Sequence, residues 1–149
     1  LLVSEANGFP RYETLQPEYN LFDREAYESG VEALCLEKGL GVITYYSLAS
    51  GFLSGKYRSE TDLAKSARGK GIKKYLTPRG FHILDALDKV AAAHNTTPAS
   101  VALAWLMARP SVTAPIVSAT NLDQLETLLQ SVTLVLDTDS LAMLNNAGA

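Results

Sequence analysis

Strands and helices alternate along this chain, yet it holds too few strands for the sheet they imply. The order reads as a helix end, a strand, a helix, a strand, two helices, a strand and two closing helices. Alternation of this kind predicts a parallel sheet with helical crossovers. Only three strand segments are visible, and parallel sheets need both faces covered. A closed barrel of alternating strands and helices takes about eight strands and about 250 residues. The chain has 149. The simplest account is α/β: the last three strands of a (β/α)8 barrel and their helices, preceded by the end of a helix. Residues 1–149 then form a single partial domain, and a chain that begins at Leu1 reads as a piece of something longer.

The segments carry recognisable punctuation. LLVSEANG (1–8) reads as a helix tail with Gly8 behind it. RYETLQPEYN (11–20) reads as a short strand stopped by Pro17. Asp23 is placed to cap a helix over 24–38 that buries Tyr27, Val31, Leu34 and Cys35, with Gly39 ending it. Residues 41–46 are β-branched or aromatic after Gly41 and read as the second strand. The stretch 59–77 is polar, glycine-punctuated and basic, and reads as irregular. Thr77-Pro78 and Thr97-Pro98 each pair a cap with a first-turn proline and open two helices, the second containing Trp105. TAPIVSATN (113–121) is the third strand; Asn121 and Gln124 stand at capping-box spacing, and Asp137 or Asp139 starts the last helix.

Composition excludes several classes. A net charge of −3 does not suit a nucleic-acid binder. No apolar run approaches the roughly 18 residues of a membrane span, and no signal peptide is visible. Cys35 stands alone, so no intrachain disulfide forms; a reducing, cytoplasmic setting fits. Cys35 reads as a buried structural thiol. His82 and His94 lie twelve positions apart across one helix and share no metal site.

The chemistry concentrates where strands run into loops. In such barrels the active site lies at the carboxyl ends of the strands, and the loops after the seventh and eighth strands often bind phosphate. GVITYYSLASGFLSGKY (41–57) passes from strand to small residues and then Lys56. Small residues let backbone N–H groups approach an anion, and Lys56 supplies a point charge. After the third strand, SATNLDQ offers the Ser118 and Thr120 hydroxyls at a helix start. Two phosphate-competent loops suggest a nucleotide with a pyrophosphate; ordinary turn chemistry is the other reading. Tyr45 and Tyr46 point to opposite faces, so one faces the barrel mouth, where a flat ring can stack; packing against helices is the alternative. Gln16 carries a carboxamide able to pair with another amide, or to be a satisfied buried polar group. Stacking ring, amide and phosphate loops together describe a nicotinamide cofactor.

LQPEYNLFDRE, GVITYYSLASGFLSGKY, ARGKGIKKYL, TPASVALAWLMARP and APIVSATNLDQLETLL, in that order, resemble the aldo-keto reductase family over nearly the whole chain. The resemblance implies the C-terminal half of a TIM barrel, about strands six to eight, and an NADPH-dependent carbonyl reductase. It places Gln16 on the nicotinamide carboxamide. It puts Tyr45 on the nicotinamide ring when SGKY is the anchor, which needs no gap, and Tyr46 there when the Tyr-Ser pair is. Ser47, Leu48, Ser50 and Gly51 would line the pyrophosphate, Lys56 would serve the phosphates, and Arg68 the pyrophosphate or 2′-phosphate. Ser118, Thr120 and Gln124 would meet the adenosine 2′-phosphate and ribose. Thr127 and Leu128 stand where many members carry an acidic or amide residue and then Asn, and position 124 is not Arg, so NADH stays open beside NADPH.

The family's catalytic Tyr, Asp, Lys and His belong to the N-terminal half, and none of those motifs occurs here. The chain alone is therefore expected to hold the cofactor but not the acid that protonates a carbonyl. Its expected partners are a small carbonyl substrate and the N-terminal half of the barrel, or a second chain that closes the exposed strand edge. Two other readings stand beside the reductase: a nucleotide-binding regulatory or sensor subunit, and an inactive half-barrel.

Overall fold

A computed structural model of the chain describes residues 1–65 and 69–149. Three short strands, β1 (Thr14–Leu15), β2 (Gly41–Thr44) and β3 (Ala114–Pro115), form one parallel sheet in the order β1-β2-β3. The register pairs Thr14 with Gly41 and Ile43 with Ala114. The parallel sheet is as expected, but the strands are shorter than the sequence suggests. Pro115 is tolerated because β3 is an outer strand. Pro17 does not end the pairing either, since Glu18 still bridges to Tyr45.

Helix α1 (Leu2–Asn7) closes on Gly8 in the left-handed conformation. The expected helix over 24–38 is instead two, α2 (Glu25–Glu28) and α3 (Val31–Lys38). Gly30, at φ 138°, separates them in a conformation that costs other residues dearly. The break resets the helical phase. Tyr27 and Cys35 are buried as expected, but Val31 and Leu34 stay 38% and 47% exposed. Arg24, not Asp23, holds the cap position.

The basic segment is more regular than it reads. A 3-10 turn (Glu60–Lys65), the short helix α4 (Gly69–Ile72) and a second 3-10 turn (Lys73–Tyr75) carry it. Ile72 and Tyr75 are buried, and that i, i+3 apolar pair among lysines was the signal. Lys73 pairs with Glu60, and Lys74 lies near Glu18 and Asp23.

The rest follows its caps. Thr77 accepts from Gly80 N–H to open α5 (Pro78–Ala93), and Thr97 accepts from Ser100 N–H to open α6 (Pro98–Met107). Asn121 accepts from Gln124 N–H at α7 (Leu122–Thr133), and Asp137 accepts from Ser140 N–H at α8 (Thr138–Gly148). Helix α6 lies centrally, touching α5 and α7, while α5 also packs on α8. Trp105 is fully buried at its middle, 5.5 Å from the Tyr19 ring, with its indole N–H on Asn145. Tyr19 donates to Glu28 at 2.6 Å, and Arg24 and Arg109 lie over Trp105. This network ties the segment after β1 to α2, α6 and α8.

Candidate functional site

The loop after β2 is held from below and strained above. Ala49, Phe52 and Leu53 are fully buried, and Phe52 stacks on Tyr75 at 5.2 Å. These anchors force the backbone between them through a tight double turn. Tyr46, Ala49 and Ser50 take positive φ values of 52°, 49° and 58°, and Gly51 takes 97°. Such values in non-glycine residues cost free energy and persist where surrounding structure imposes them. Gly51 N–H donates to Leu48 O at 2.8 Å, and Ser54 Oγ donates to Gly51 O at 2.7 Å. A Cβ on Gly51 would meet Lys56 Cε at 3.7 Å, so the lysine stem runs along the bare face of the glycine.

Two buried polar residues lock this loop to its neighbours. Ser47 is 1% exposed; its hydroxyl donates to Ile116 O at 3.0 Å and lies 3.1 Å from Thr44 Oγ1. It therefore joins the loop after β2 to the segment after β3. Asn20 is fully buried and donates to Tyr46 O at 3.1 Å, while its carbonyl oxygen accepts from Phe22 and Asp23 N–H. It ties the segment after β1 to the same loop.

Between the 46–56 loop and the start of α7 lies a cleft of about 650 Å³. Tyr46, Ser47, Leu48, Ser50, Gly51 and Lys56 line one wall, and Ser118, Thr120 and Gln124 the other. The structure thus brings together most of the residues singled out in the sequence. Three stand apart. Gln16 is exposed just beyond β1 and does not line the cleft. Tyr45, the ring preferred from the sequence, is beside the cleft rather than in it, its centroid 5.3 Å from that of Tyr46. Tyr46 is the tyrosine in the wall. Arg68 lies outside the described residues.

Ser47 also differs from expectation: its hydroxyl is turned into the fold, so what it offers a ligand is backbone. The sequence alone did not single out Asn20, which braces the loop from outside the cleft, nor Ser54, Thr97, Ala99, Ile116 and Val117, which also line it. Thr97 was legible as a helix cap, but nothing local shows that α6 begins at the cleft. Thr127 and Leu128, noted as departures from the family pattern, do line it.

A wider cleft, of about 940 Å³, lies between Glu18, α2, Arg79 and the end of α8. Both of its arginines are engaged. Arg24 pairs with Glu28, and Arg79 donates to Gly148 O. Burial raises the Glu18 carboxyl above the usual range, helped by the Asp23 charge. Among the described residues no cluster of His, Cys, Asp or Glu could hold a metal ion, and no helix is long and apolar enough to cross a membrane.

A parallel sheet with its cleft at the carboxyl ends of the strands defines an α/β protein with its site where such folds bind ligands. Comparison with known sequences carries this further: the aldo/keto reductase family model matches residues 3–149, and the chain belongs to that family. It is 32% identical over 144 residues to the uncharacterized oxidoreductase YrpG of Bacillus subtilis (strain 168), covering 96% of this chain and 42% of that protein. It is 31% identical over 137 residues to L-glyceraldehyde 3-phosphate reductase of Escherichia coli (strain K12), covering 87% of this chain and 40% of that one. It is 35% identical over 115 residues to a probable voltage-gated potassium channel subunit beta of Oryza sativa subsp. japonica, covering 74% and 35%. The chain spans about two fifths or less of the length of these relatives. The family is one of oxidoreductases that use nicotinamide cofactors on small carbonyl compounds, and one further relative, from Schizosaccharomyces pombe, is named an NADP(+) aldo-keto reductase.

Proposed function

We propose that this chain is the cofactor-binding part of an NAD(P)H-dependent aldehyde or ketone reductase, corresponding to about strands six to eight of a (β/α)8 barrel. The observation that carries the reading is the cleft itself. It joins a left-handed, glycine-bearing loop and Lys56 to a hydroxyl-bearing helix start, a donor set that suits a dinucleotide. In this reading the backbone of 47–51 and Lys56 hold the pyrophosphate. Tyr45 or Tyr46 flanks the nicotinamide, Gln16 pairs its carboxamide, and Ser118, Thr120 and Gln124 meet the adenosine 2′-phosphate and ribose. The coenzyme supplies the hydride that reduces the carbonyl carbon. The proton for the carbonyl oxygen comes from a residue outside this chain. Tyr19 and Tyr75, pushed up by burial and by bonds to Glu28 and Asp23, are held as neutral phenols inside the fold.

Two surfaces support the view that more barrel covers this chain. Strands β1 and β3 each pair on one side only. Helix α7 carries Leu122, Leu125, Leu129 and Val132, at i, i+3, i+7 and i+10, between 43% and 74% exposed. The test is a titration of NADPH, followed by coenzyme fluorescence, against the 149-residue chain and the whole encoded protein. Lys56→Ala should weaken binding about tenfold, the effect of losing one charged contact. Unchanged binding would remove Lys56 and its loop from the site. Turnover of an aldehyde by the 149-residue chain alone would refute the division of labour.

A second reading, a coenzyme-binding regulatory subunit, is favoured by the relatives named as potassium channel beta subunits in rice and Arabidopsis thaliana. It predicts coenzyme binding by the whole protein without aldehyde reduction.

A further inference from the structure

We infer that Asn20 is a positioning residue for the coenzyme: from outside the cleft, its side-chain amide fixes the Tyr46 turn that the loop wall presents to the nicotinamide end of the ligand. The inference rests on the dinucleotide reading above. The pairing between the first two strand segments runs out at this point. Tyr45 N–H donates to Pro17 O at 2.9 Å, and Tyr19 N–H donates to Tyr45 O at 3.4 Å. The next carbonyl, that of Tyr46, takes the Asn20 side-chain amide at 3.1 Å, together with Ala49 N–H at 2.6 Å. A side chain thus carries on where backbone pairing stops. At the same residue the chain leaves the sheet, with Tyr46 at φ 52° and Ala49 and Ser50 following at 49° and 58°.

Asn20 is built for a fixed aim. It is fully buried, and its Oδ1 accepts from Phe22 N–H and Asp23 N–H, both at 2.9 Å. Those two bonds clamp the side chain to its own segment as an Asx turn. They leave Nδ2 directed at Tyr46 O and, at 3.2 Å, at Asp23 Oδ2. Two lone pairs and two N–H groups are then all in use, so Asn20 has no capacity left for a ligand and acts through Tyr46. What it controls is where the Tyr46 ring stands. On an extended strand Tyr45 and Tyr46 would point to opposite faces. With the turn at Tyr46 their ring centroids are 5.3 Å apart, and Tyr46 stands in the cleft wall, 54% exposed. A tyrosine at positive φ persists where its surroundings hold it. Without the Asn20 bond the Tyr46 peptide can relax toward the extended form and carry the ring, Ser47 and Leu48 with it.

The experiment uses the whole encoded protein and two variants, with folding checked by circular dichroism. In Asn20→Ser the hydroxyl can still close the local turn but is too short to reach Tyr46 O. Asn20→Asp keeps the side chain's size and both accepted bonds but has no N–H to give. NADPH is titrated by coenzyme fluorescence, and its emission spectrum is recorded at saturating protein. There every bound coenzyme sits on a folded molecule, so a mere loss of stability does not move the spectrum. The dissociation constant should rise about tenfold in a variant, as expected for one hydrogen bond. The spectrum of the bound coenzyme should shift toward that of free NADPH. Unchanged affinity overturns the inference while leaving the dinucleotide reading intact, as does weaker binding with a wild-type spectrum at saturation. Failure of both variants to fold also overturns it, because Asn20 would then serve the fold and not the coenzyme. Failure of the wild type to bind NADPH overturns the dinucleotide reading, and this inference with it.

Discussion

Ser47→Ala separates a residue that holds the cleft together from one that touches its ligand. The serine is 1% exposed, so alanine enters without a clash and the whole effect is lost hydrogen bonding. Three contacts are stripped: Ile116 O at 3.0 Å, Thr44 Oγ1 at 3.1 Å and Thr44 O at 3.3 Å, shared by one hydroxyl proton. A net hydrogen bond contributes about 1 kcal/mol, and a buried acceptor left unpaired costs about 1–3 kcal/mol more. Ile116 is 44% exposed, which lets water reach its carbonyl and moves the sum to the lower end, about 1–2 kcal/mol. For a chain of this size that is a fall in Tm of about 2–8 °C. Thermal melts by far-UV circular dichroism would read it, with Ser118→Ala, an exposed hydroxyl across the cleft, as the control that stays within about 1 °C. A Ser47→Ala protein with an unchanged midpoint but weakened NADPH binding would refute the argument, because it would put the hydroxyl on the ligand.

Gly51→Ala forces a methyl-bearing residue to φ +97°, with Lys56 only at ordinary contact distance, so the cost is conformational, about 1–2 kcal/mol; an unshifted urea midpoint would show that the loop does not need this turn. Gly80→Ala is harsher, since its Cβ would fall 1.9 Å from Tyr75 O at the start of α5; the variant should lose at least about 3 kcal/mol or fail to yield soluble protein, and near wild-type stability would rule out that packing. Burial pushes the Glu28 carboxyl up, but hydrogen bonds from Arg24 and Tyr19 and the charges of Arg24 and Arg109 outweigh it, leaving its pKa lower than that of an ordinary glutamate. A lowered folded value stabilises above the unfolded one and is lost as pH falls through it. The urea midpoint of the wild type should therefore drop as pH falls through the ordinary carboxylate range and below it, and that of Glu28→Gln should drop less steeply; parallel curves would exclude Glu28 as a source of acid sensitivity.

How much of this could be read in the sequence depends on how local the cause is. Caps were legible because the cap residue and its partner sit three positions apart, so Thr77, Thr97, Asn121 and Asp137 each mark a helix start that the structure keeps. The break at Gly30 was missed because an apolar helical period runs across it, and only the backbone angle shows that the phase resets. Strand ends were overread for a related reason. Val42 to Tyr46 all favour strand, but Tyr46 sits at positive φ with its carbonyl held by Asn20, 26 positions away. No window around Tyr46 contains that contact.

The same distinction explains which site residues came together. The 46–56 loop could be recognised because its function demands small residues, and those are visible as composition. What the loop does with them depends on contacts from elsewhere: Asn20 from the end of the first strand, Ile116 O from the third, and Phe52 on Tyr75 beneath. Ser47 shows the consequence. A small polar residue in a phosphate-competent loop reads equally well as a ligand contact or as a tether, and only its burial decides between them. Gln124 and Thr120 show the reverse case. Both are exposed, so burial says nothing, and the deciding fact is that each has already found the other. A cleft's chemistry is set by the donors it has left over. Here the loop wall presents its backbone turn, and on the helix wall the two Thr120 donors are turned onto Gln124.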